Sequence, residues 1–163
     1  MADHTATGTD ATGRRSLPQA LRLVALVLGA GYLVLGAGGF FVPGNAALAT
    51  PDGFEGHVAP HTLLVFSVGP VLNVIHTLGG LAGLAAARSV SGTALFGLAG
   101  SVGFASVGAF GVLALTYDTG GRPDFTWADV VLHLATAAVL VALAHLGFRV
   151  VNREAGDHPG GDV

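Results

Sequence analysis

The sequence contains no cysteine and no lysine, and only 10% of its 163 residues are charged. The lack of cysteine excludes disulfides and thiolate metal sites. Soluble domains carry charge on about a quarter of their residues. The low charge, the 52% of hydrophobic residues and a mean hydropathy of +0.68 therefore indicate a different class of protein. The net charge of -3 and the scattered arginines do not favour nucleic-acid binding.

Motifs of soluble enzymes are also missing from the sequence. No glycine-rich loop ends in Gly-Lys-Ser or Gly-Lys-Thr, no serine lies in a nucleophile elbow, and no His-Glu-x-x-His run occurs. No pair of carboxylates falls inside an apolar run. These absences favour a non-enzymatic protein.

Long apolar runs account for most of the chain. A helix that crosses a bilayer needs about 20 mostly apolar residues. Four runs meet this length or approach it, at about residues 20–42, 70–87, 93–115 and 127–148. We therefore predict an all-α integral membrane four-helix bundle over residues 18–149. The polar, glycine-rich segments 1–17 and 150–163 are predicted to be disordered tails, because they have little apolar surface to bury.

The arginines predict the orientation of the four helices. Six of the seven lie before the first run, between the second and third, or after the fourth (Arg14, Arg15, Arg22, Arg88, Arg149 and Arg153). Arg122 lies between the third and fourth runs, in a segment that also holds Asp118 and Asp124. By the positive-inside rule, we expect both termini to be cytoplasmic in a multi-pass protein of the cell membrane.

Two similar motifs carry histidines inside apolar runs, GPVLNVIHTLGG in the second and TWADVVLHLA in the fourth. Pro70 suits the first position of a helix, and Thr126 precedes the fourth helix as its predicted cap. His76 and His133 then lie about 10 Å below the outer boundary of the membrane. Because both helices run in the same direction, the motifs predict two helical hairpins repeated in parallel.

The polar residues of these motifs form the candidate site. Asn73 and His76 share one helical face, and Asp129 and His133 share another. Polar side chains in a membrane span tend to face the bundle interior. We therefore expect the four side chains to converge in one polar layer near the outer face. Thr126 and Asp129 also match a capping box, which is the main role that we predict for Asp129.

Three functions are consistent with this layer. The first is a non-enzymatic structural or accessory membrane component, in which neutral imidazoles hydrogen-bond between helices. The second is a redox protein that holds haem b with His76 and His133 as axial ligands. The third is a proton or small-molecule pathway that uses Asp129 and His133. His145 lies about 120° around the helix from His133, which argues against a continuous path along that helix.

A zinc site is a weaker possibility. His57 and His61 lie in the loop HVAPH, but Pro60 interrupts the helix that would align them. We therefore predict no metal site outside the haem alternative.

Glycines are frequent in the first and third runs. Small residues let membrane helices approach closely, which provides the van der Waals contact that holds such helices together. The glycines can serve packing within the chain or form the face of a homo-oligomer. They are Gly29, Gly36 and Gly39 in the first run and Gly97, Gly100, Gly103, Gly108 and Gly111 in the third.

The segments GAGYLVLGAGGFFVPG, LNVIHTLGGLAGLAAAR, GTALFGLAG and TWADVVLHLA resemble, in order and spacing, the DUF4383 family of small bacterial four-helix membrane proteins. The resemblance covers roughly residues 21–147. It implies the fold and the topology but no mechanism, because the family has no established activity. The family tends to have a histidine and an asparagine where this chain has Leu72 and Gly69, and asparagines where it has Thr126 and Val130.

Overall fold

Four helices and one short hairpin make up the structure, a computed structural model that describes residues 16–43, 62–117 and 125–156. The hairpin lies between the first two helices and consists of two-residue strands in antiparallel pairing. The elements are α1 (Leu17–Gly39), β1 (Thr62–Leu63), β2 (Phe66–Ser67), α2 (Pro70–Ala86), α3 (Val90–Thr116) and α4 (Trp127–Gly156). The predicted all-α membrane bundle is confirmed.

The helices begin at residues suited to helix starts. Ser16 caps α1 in a capping box, and its backbone N–H donates to the Gln19 side chain at 3.2 Å. Pro70 is the first residue of α2, where a missing N–H has no cost. Ser89 caps α3, and its hydroxyl oxygen accepts a hydrogen bond from the backbone N–H of Gly92 at 3.0 Å.

Three of the helices are long and apolar enough to cross a membrane. They are α1, α3 and α4, with 23, 27 and 30 residues. The remaining helix, α2, has 17 residues and is about 25 Å long. It nevertheless extends along most of α1, because Asn73 lies against Gly39 at one end and Ala87 bonds to Arg22 at the other. The chain is an integral membrane protein.

Helix α4 continues past its predicted membrane span. It ends at Gly156, whereas the sequence predicted a span to residue 148 and a disordered tail from residue 150. Residues 150–156 include helix formers, and Arg153 in the last turn interacts favourably with the negative end of the helix dipole. Segments 1–15 and 157–163, most of the two predicted tails, lie outside the described residues.

The short β-hairpin immediately precedes the start of α2. Thr62 pairs with Ser67 and Leu63 with Phe66, so Leu64 and Val65 form the turn. Leu64 has a φ of 61°, in the left-handed region that rarely suits a bulky residue. Both turn residues are exposed. The hairpin therefore presents an apolar tip at the end of the bundle where α2 and α4 begin.

The two halves of the bundle repeat the same buried positions. In α2, the buried residues Asn73, His76, Gly80 and Gly83 recur 57 residues later in α4 as Val130, His133, Ala137 and Leu140, all buried. In α1, the buried residues Leu21, Ala25, Gly29, Gly36 and Gly39 recur 72 residues later in α3 as Thr93, Gly97, Ser101, Gly108 and Gly111, also buried. The α1–α2 and α3–α4 hairpins thus use equivalent faces.

Glycines allow the helices of each hairpin to pack backbone against backbone. A Cβ added at Gly29 would lie 2.6 Å from the backbone nitrogen of Leu84, and one at Gly97 would lie 2.6 Å from that of Ala144. In contrast, a Cβ at Gly103 would meet nothing within 4 Å. Most of the glycines of α1 and α3 named above therefore serve packing within the chain, and Gly103 faces outward.

Candidate functional site

Four aromatic rings, one from each helix, meet in the interior of the bundle. They are Tyr32 of α1, His76 of α2, Phe104 of α3 and His133 of α4, and we refer to them as the ring quartet. The ring centroids are 5.3 Å apart for Tyr32–His76 and 5.6 Å for His76–His133. They are 5.8 Å apart for His133–Phe104 and 4.5 Å for Phe104–Tyr32, which closes the circuit. The quartet therefore links all four helices at one level.

The two histidines of the quartet bond directly to each other. Their Nε2 atoms are 3.4 Å apart, and both residues are buried. The Nδ1 of His133 lies 2.6 Å from the backbone oxygen of Asp129, which can only accept, so this Nδ1 carries the proton. A neutral His133 then presents Nε2 as an acceptor, and the Nε2–H of His76 donates to it. The hydrogen bond joins the two repeated hairpins.

A second buried hydrogen bond joins α1 to α4. The hydroxyl of Tyr32 lies 2.8 Å from the hydroxyl oxygen of Thr136. Thr136 is three residues after His133 and shares its helical face. The first helix is therefore connected directly to the last through polar atoms, whereas the ring contacts of Tyr32 are with α2 and α3.

Asp129 connects the start of α4 to the short hairpin. The backbone N–H of Ser67 donates to its Oδ1 at 3.0 Å. The backbone N–H and the hydroxyl of Thr126 donate to its Oδ2 at 2.7 and 2.8 Å. The backbone N–H of Asp129 in turn donates to the Thr126 hydroxyl oxygen at 3.2 Å. The carboxylate, which is only 1% exposed, thus accepts hydrogen bonds from two separate segments.

Asn73 is the least satisfied member of the layer. Its side chain is fully buried against Gly39, and neither its Oδ1 nor its Nδ2 has a hydrogen-bond partner among the described residues. Two further buried atoms within the described residues share this property, His76 Nδ1 and Ser67 Oγ. These atoms can each still form a hydrogen bond to a small polar group. A purely apolar bundle core has no such capacity.

The structure brings the predicted site residues together to different degrees. His76 and His133 are in contact, whereas Asp129 reaches His133 through its backbone oxygen and points its carboxylate to the hairpin. Asn73 points to α1. His145 is exposed on α4. The loop histidines His57 and His61, considered above for zinc, lie outside the described residues.

The ring quartet leaves little room for a haem between the histidines. Axial imidazoles bind iron from opposite faces of the macrocycle, at an iron–nitrogen distance of about 2 Å as for other metal–imidazole bonds. Here the two imidazole rings contact each other at an interplanar angle of 26°, and Tyr32 and Phe104 complete the circuit. Among the described residues, no group of three or more His, Cys, Asp or Glu side chains is placed to hold a metal ion.

Sequence reasoning missed Tyr32, Phe104, Thr136 and Ser67 as members of this layer. A signal for the first two was present, because Tyr32 and Phe104 are 72 residues apart, as are Gly36 and Gly108 and also Gly39 and Gly111. When the two halves are aligned at this spacing, the only tyrosine of the four apolar runs aligns with a phenylalanine. No comparable pattern pointed to Ser67, which lies outside the predicted helices.

We predict that Tyr32→Phe lowers the free energy of unfolding by about 0.6 kcal/mol, the average contribution of a hydrogen bond between helices in a membrane. The ring is retained, so the loss comes from the hydrogen bond to Thr136. Thermal unfolding of Tyr32→Phe, Thr136→Val and the double variant measures the contribution of this hydrogen bond to stability. If the two single effects add fully in the double variant, the hydroxyls do not interact.

Comparison with known proteins gives a family but no characterised relative. The model of the family described as "Domain of unknown function (DUF4383)" matches residues 22–146. No curated protein and no solved structure matches the chain. The matched segment includes the ring quartet, Asn73, Asp129 and all four helices except the first residues of α1 and the end of α4. Because the match covers well over half of its length, the chain belongs to the DUF4383 family.

Proposed function

We propose that this protein is a non-enzymatic structural or accessory component of the cell membrane, whose buried polar layer holds two helical hairpins in one arrangement. The observation that carries the proposal is the His76–His133 hydrogen bond within the ring quartet. It connects the two repeated hairpins at equivalent positions. A hydrogen bond between helices in a membrane contributes about 0.6 kcal/mol on average, and its directionality specifies how the helices are rotated.

The bonds of Asp129 support the same proposal. Among the described residues, the carboxylate accepts hydrogen bonds only from the backbone N–H of Ser67 and from the backbone N–H and hydroxyl of Thr126. These contacts are typical of a helix cap that also fixes a neighbouring segment. The Asp129 carboxylate therefore connects the short β-hairpin to the start of α4.

We further propose that both termini are cytoplasmic. At the end of the bundle opposite the short hairpin lie Arg22, Arg88, Arg149 and Arg153. At the other end Trp127 and Tyr117 are exposed. Arginines concentrate on the cytoplasmic side, and aromatic residues concentrate at membrane interfaces. The ring quartet then lies in the outer half of the membrane.

We propose self-association as part of this function. On its outward side α3 exposes the small residues Ala99, Gly103 and Ser106, which share one face. Such a face lets a second helix approach closely. Single-molecule photobleaching in liposomes counts the copies per particle. A higher monomer fraction for Gly103→Leu than for the wild-type protein supports the proposal, and an unchanged fraction contradicts it.

One observation favours the binding of a small polar molecule as a second candidate function. The unsatisfied atoms of Asn73, His76 and Ser67 are all buried near the hairpin end of the bundle. A transport path for protons has less support, because the His133 Nδ1–H donates to the backbone oxygen of Asp129 and not to its carboxylate. The series of hydrogen bonds from His76 through His133 thus ends at the backbone carbonyl of Asp129, which does not exchange protons.

The proposal is tested by a double-mutant cycle of His76→Ala and His133→Ala in purified protein. We expect each variant to unfold at a lower temperature than the wild type, with a coupling of about 0.6 kcal/mol between the two changes. Proteoliposomes that contain a pH-sensitive dye are measured in parallel. We expect no proton flux that depends on Asp129.

Three outcomes contradict the structural function. Flux abolished by Asp129→Asn indicates transport, and a Soret band abolished by either histidine substitution indicates haem. A destabilising Asn73→Val indicates that a bound polar group satisfies the amide. Val130 occupies the equivalent position of the other hairpin, so an apolar residue already fits such a site. Without a bound partner, removal of an unsatisfied amide is expected to be neutral or stabilising.

A further inference from the structure

A groove lies at the arginine-rich end of the bundle, distant from the ring quartet. It runs between the first turns of α1 and the end of α2, and its volume is about 290 Å³. Its lining consists of Gln19, Arg22, Leu23, Leu26 and Ala87. The groove is open to the side on which lipid surrounds the helices.

Arg22 is held in position at this groove. Its Nε–H donates to the backbone oxygen of Ala87 at 2.8 Å, which satisfies a carbonyl group at the end of α2. Among the described residues, the guanidinium makes no other hydrogen bond and no ion pair, so its two terminal amino groups keep their donors. A guanidinium presents such donors in a fixed planar fork that matches phosphate oxygens.

The residues that line the groove on α1 are ordered by depth. Gln19 is nearest the end of the helix, Arg22 lies about 4.5 Å deeper and Leu26 another 6 Å deeper, all on one helical face. Leu23 and Leu26 are 37% and 45% exposed. A polar group, a cation and an apolar surface follow in the same order as the headgroup, phosphate and acyl chain of a phospholipid.

Charge indicates which class of phospholipid fits. Arg88, Arg149 and Arg153 lie at the same end as Arg22, and the only acidic residue described there is Glu154. A basic patch at a membrane surface attracts anionic lipids. We propose that this groove binds an anionic glycerophospholipid, with its phosphate on Arg22 and an acyl chain along Leu23 and Leu26.

Native mass spectrometry of the full chain in detergent tests the proposal, with dioctanoyl phosphatidylglycerol as the probe. Dioctanoyl phosphatidylcholine serves as the zwitterionic comparison and glycerol 3-phosphate as the free phosphate. We expect one phosphatidylglycerol to bind about fivefold more tightly than phosphatidylcholine. Glycerol 3-phosphate is expected to bind more weakly than both. If it binds as tightly as phosphatidylglycerol, the site is one for free phosphate and the lipid proposal is wrong.

Two variants locate the bound lipid. Arg22→Gln is expected to weaken phosphatidylglycerol binding about tenfold, because a charge-assisted hydrogen bond is lost. Arg88→Gln is the matched control, since it removes the same charge from the same end but does not line the groove. Leu26→Trp fills the groove while Arg22 remains, and it is also expected to weaken binding.

Equal losses for Arg22→Gln and Arg88→Gln would show diffuse attraction and overturn the proposal. Unchanged binding in Leu26→Trp would also overturn it. Because Leu26→Trp retains the Arg22 bond to Ala87, it remains informative even if Arg22→Gln does not fold.

Discussion

Gly29→Ala is expected to lower the free energy of unfolding by about 3 kcal/mol, at the upper end of the usual cost of overpacking. The added Cβ would lie 2.6 Å from the Leu84 nitrogen, 2.9 Å from the Gly80 oxygen and 2.9 Å from the Gly83 carbonyl carbon. All three are backbone atoms, so no side-chain rotation can relieve the clash. The two helices must move apart, and the van der Waals contact that holds them is lost.

Gly31→Ala is the matched control for this substitution. Gly31 lies on the same helix two residues later, and a Cβ added there would meet nothing within 4 Å. Alanine is favoured over glycine in a helix by about 1 kcal/mol, so the control is expected to be neutral or slightly stabilising.

The internal repeat provides a second comparison. A Cβ at Gly97 would lie 2.6 Å from the Ala144 nitrogen and 2.8 Å from the Leu140 oxygen. Gly97→Ala is therefore expected to destabilise the helical hairpin formed by α3 and α4 in the same way. Thermal unfolding in one detergent compares all three variants with the wild type. The close approach of α1 and α2 is refuted if Gly29→Ala and Gly31→Ala unfold at the same temperature.

Asp129→Ala is expected to lower the free energy of unfolding by about 3 kcal/mol, since hydrogen bonds to a charged group are lost and buried donors remain unsatisfied. The affected donors are the backbone N–H groups of Ser67 and Thr126, whereas the Thr126 hydroxyl keeps the Val65 backbone oxygen as an acceptor at 3.2 Å. The β-hairpin then keeps its apolar contacts and the hydrogen bond from the Thr126 hydroxyl to the Val65 backbone oxygen, but it loses the bond at Ser67. We expect the Ser67 amide to exchange with solvent much faster in Asp129→Ala than in the wild type.

The only tryptophan provides an optical measure of the same change. Trp127 lies beside Val65 and Phe66 of the hairpin, along a shared groove on α4. Its fluorescence is expected to change when the hairpin separates from α4. Because the chain has no cysteine, a label on a single introduced cysteine can report the same movement without background.

Thr126→Val is the graded control for Asp129→Ala. It removes the hydroxyl that donates to the carboxylate, accepts from the Asp129 N–H and lies 3.2 Å from the Val65 backbone oxygen, but it leaves the bond from Ser67 to the carboxylate intact. Loss of a cap costs about 1 kcal/mol, so its effect is expected to be about a third of that of Asp129→Ala. If the Ser67 amide exchanges at the wild-type rate in Asp129→Ala, the carboxylate does not hold the hairpin.

The sequence predicted features that depend on local composition. The membrane class and the four helices follow from hydropathy and helical periodicity, which each segment carries by itself. The start of α2 at Pro70 follows from the chemistry of helix ends. The end of α4 did not follow, because a helix can continue as an exposed extension beyond the apolar run.

Hydropathy and rise per residue are properties of single segments, so they were sufficient to predict that the protein spans a membrane as a helical bundle and that His76 and His133 lie at matching levels. That Tyr32 and Phe104 complete the ring quartet, and that the Asp129 carboxylate accepts a hydrogen bond from Ser67, became evident only from the packing of the helices. Periodicity defines which residues share a face of one helix, but the rotation of each helix against its neighbours depends on packing between distant parts of the chain.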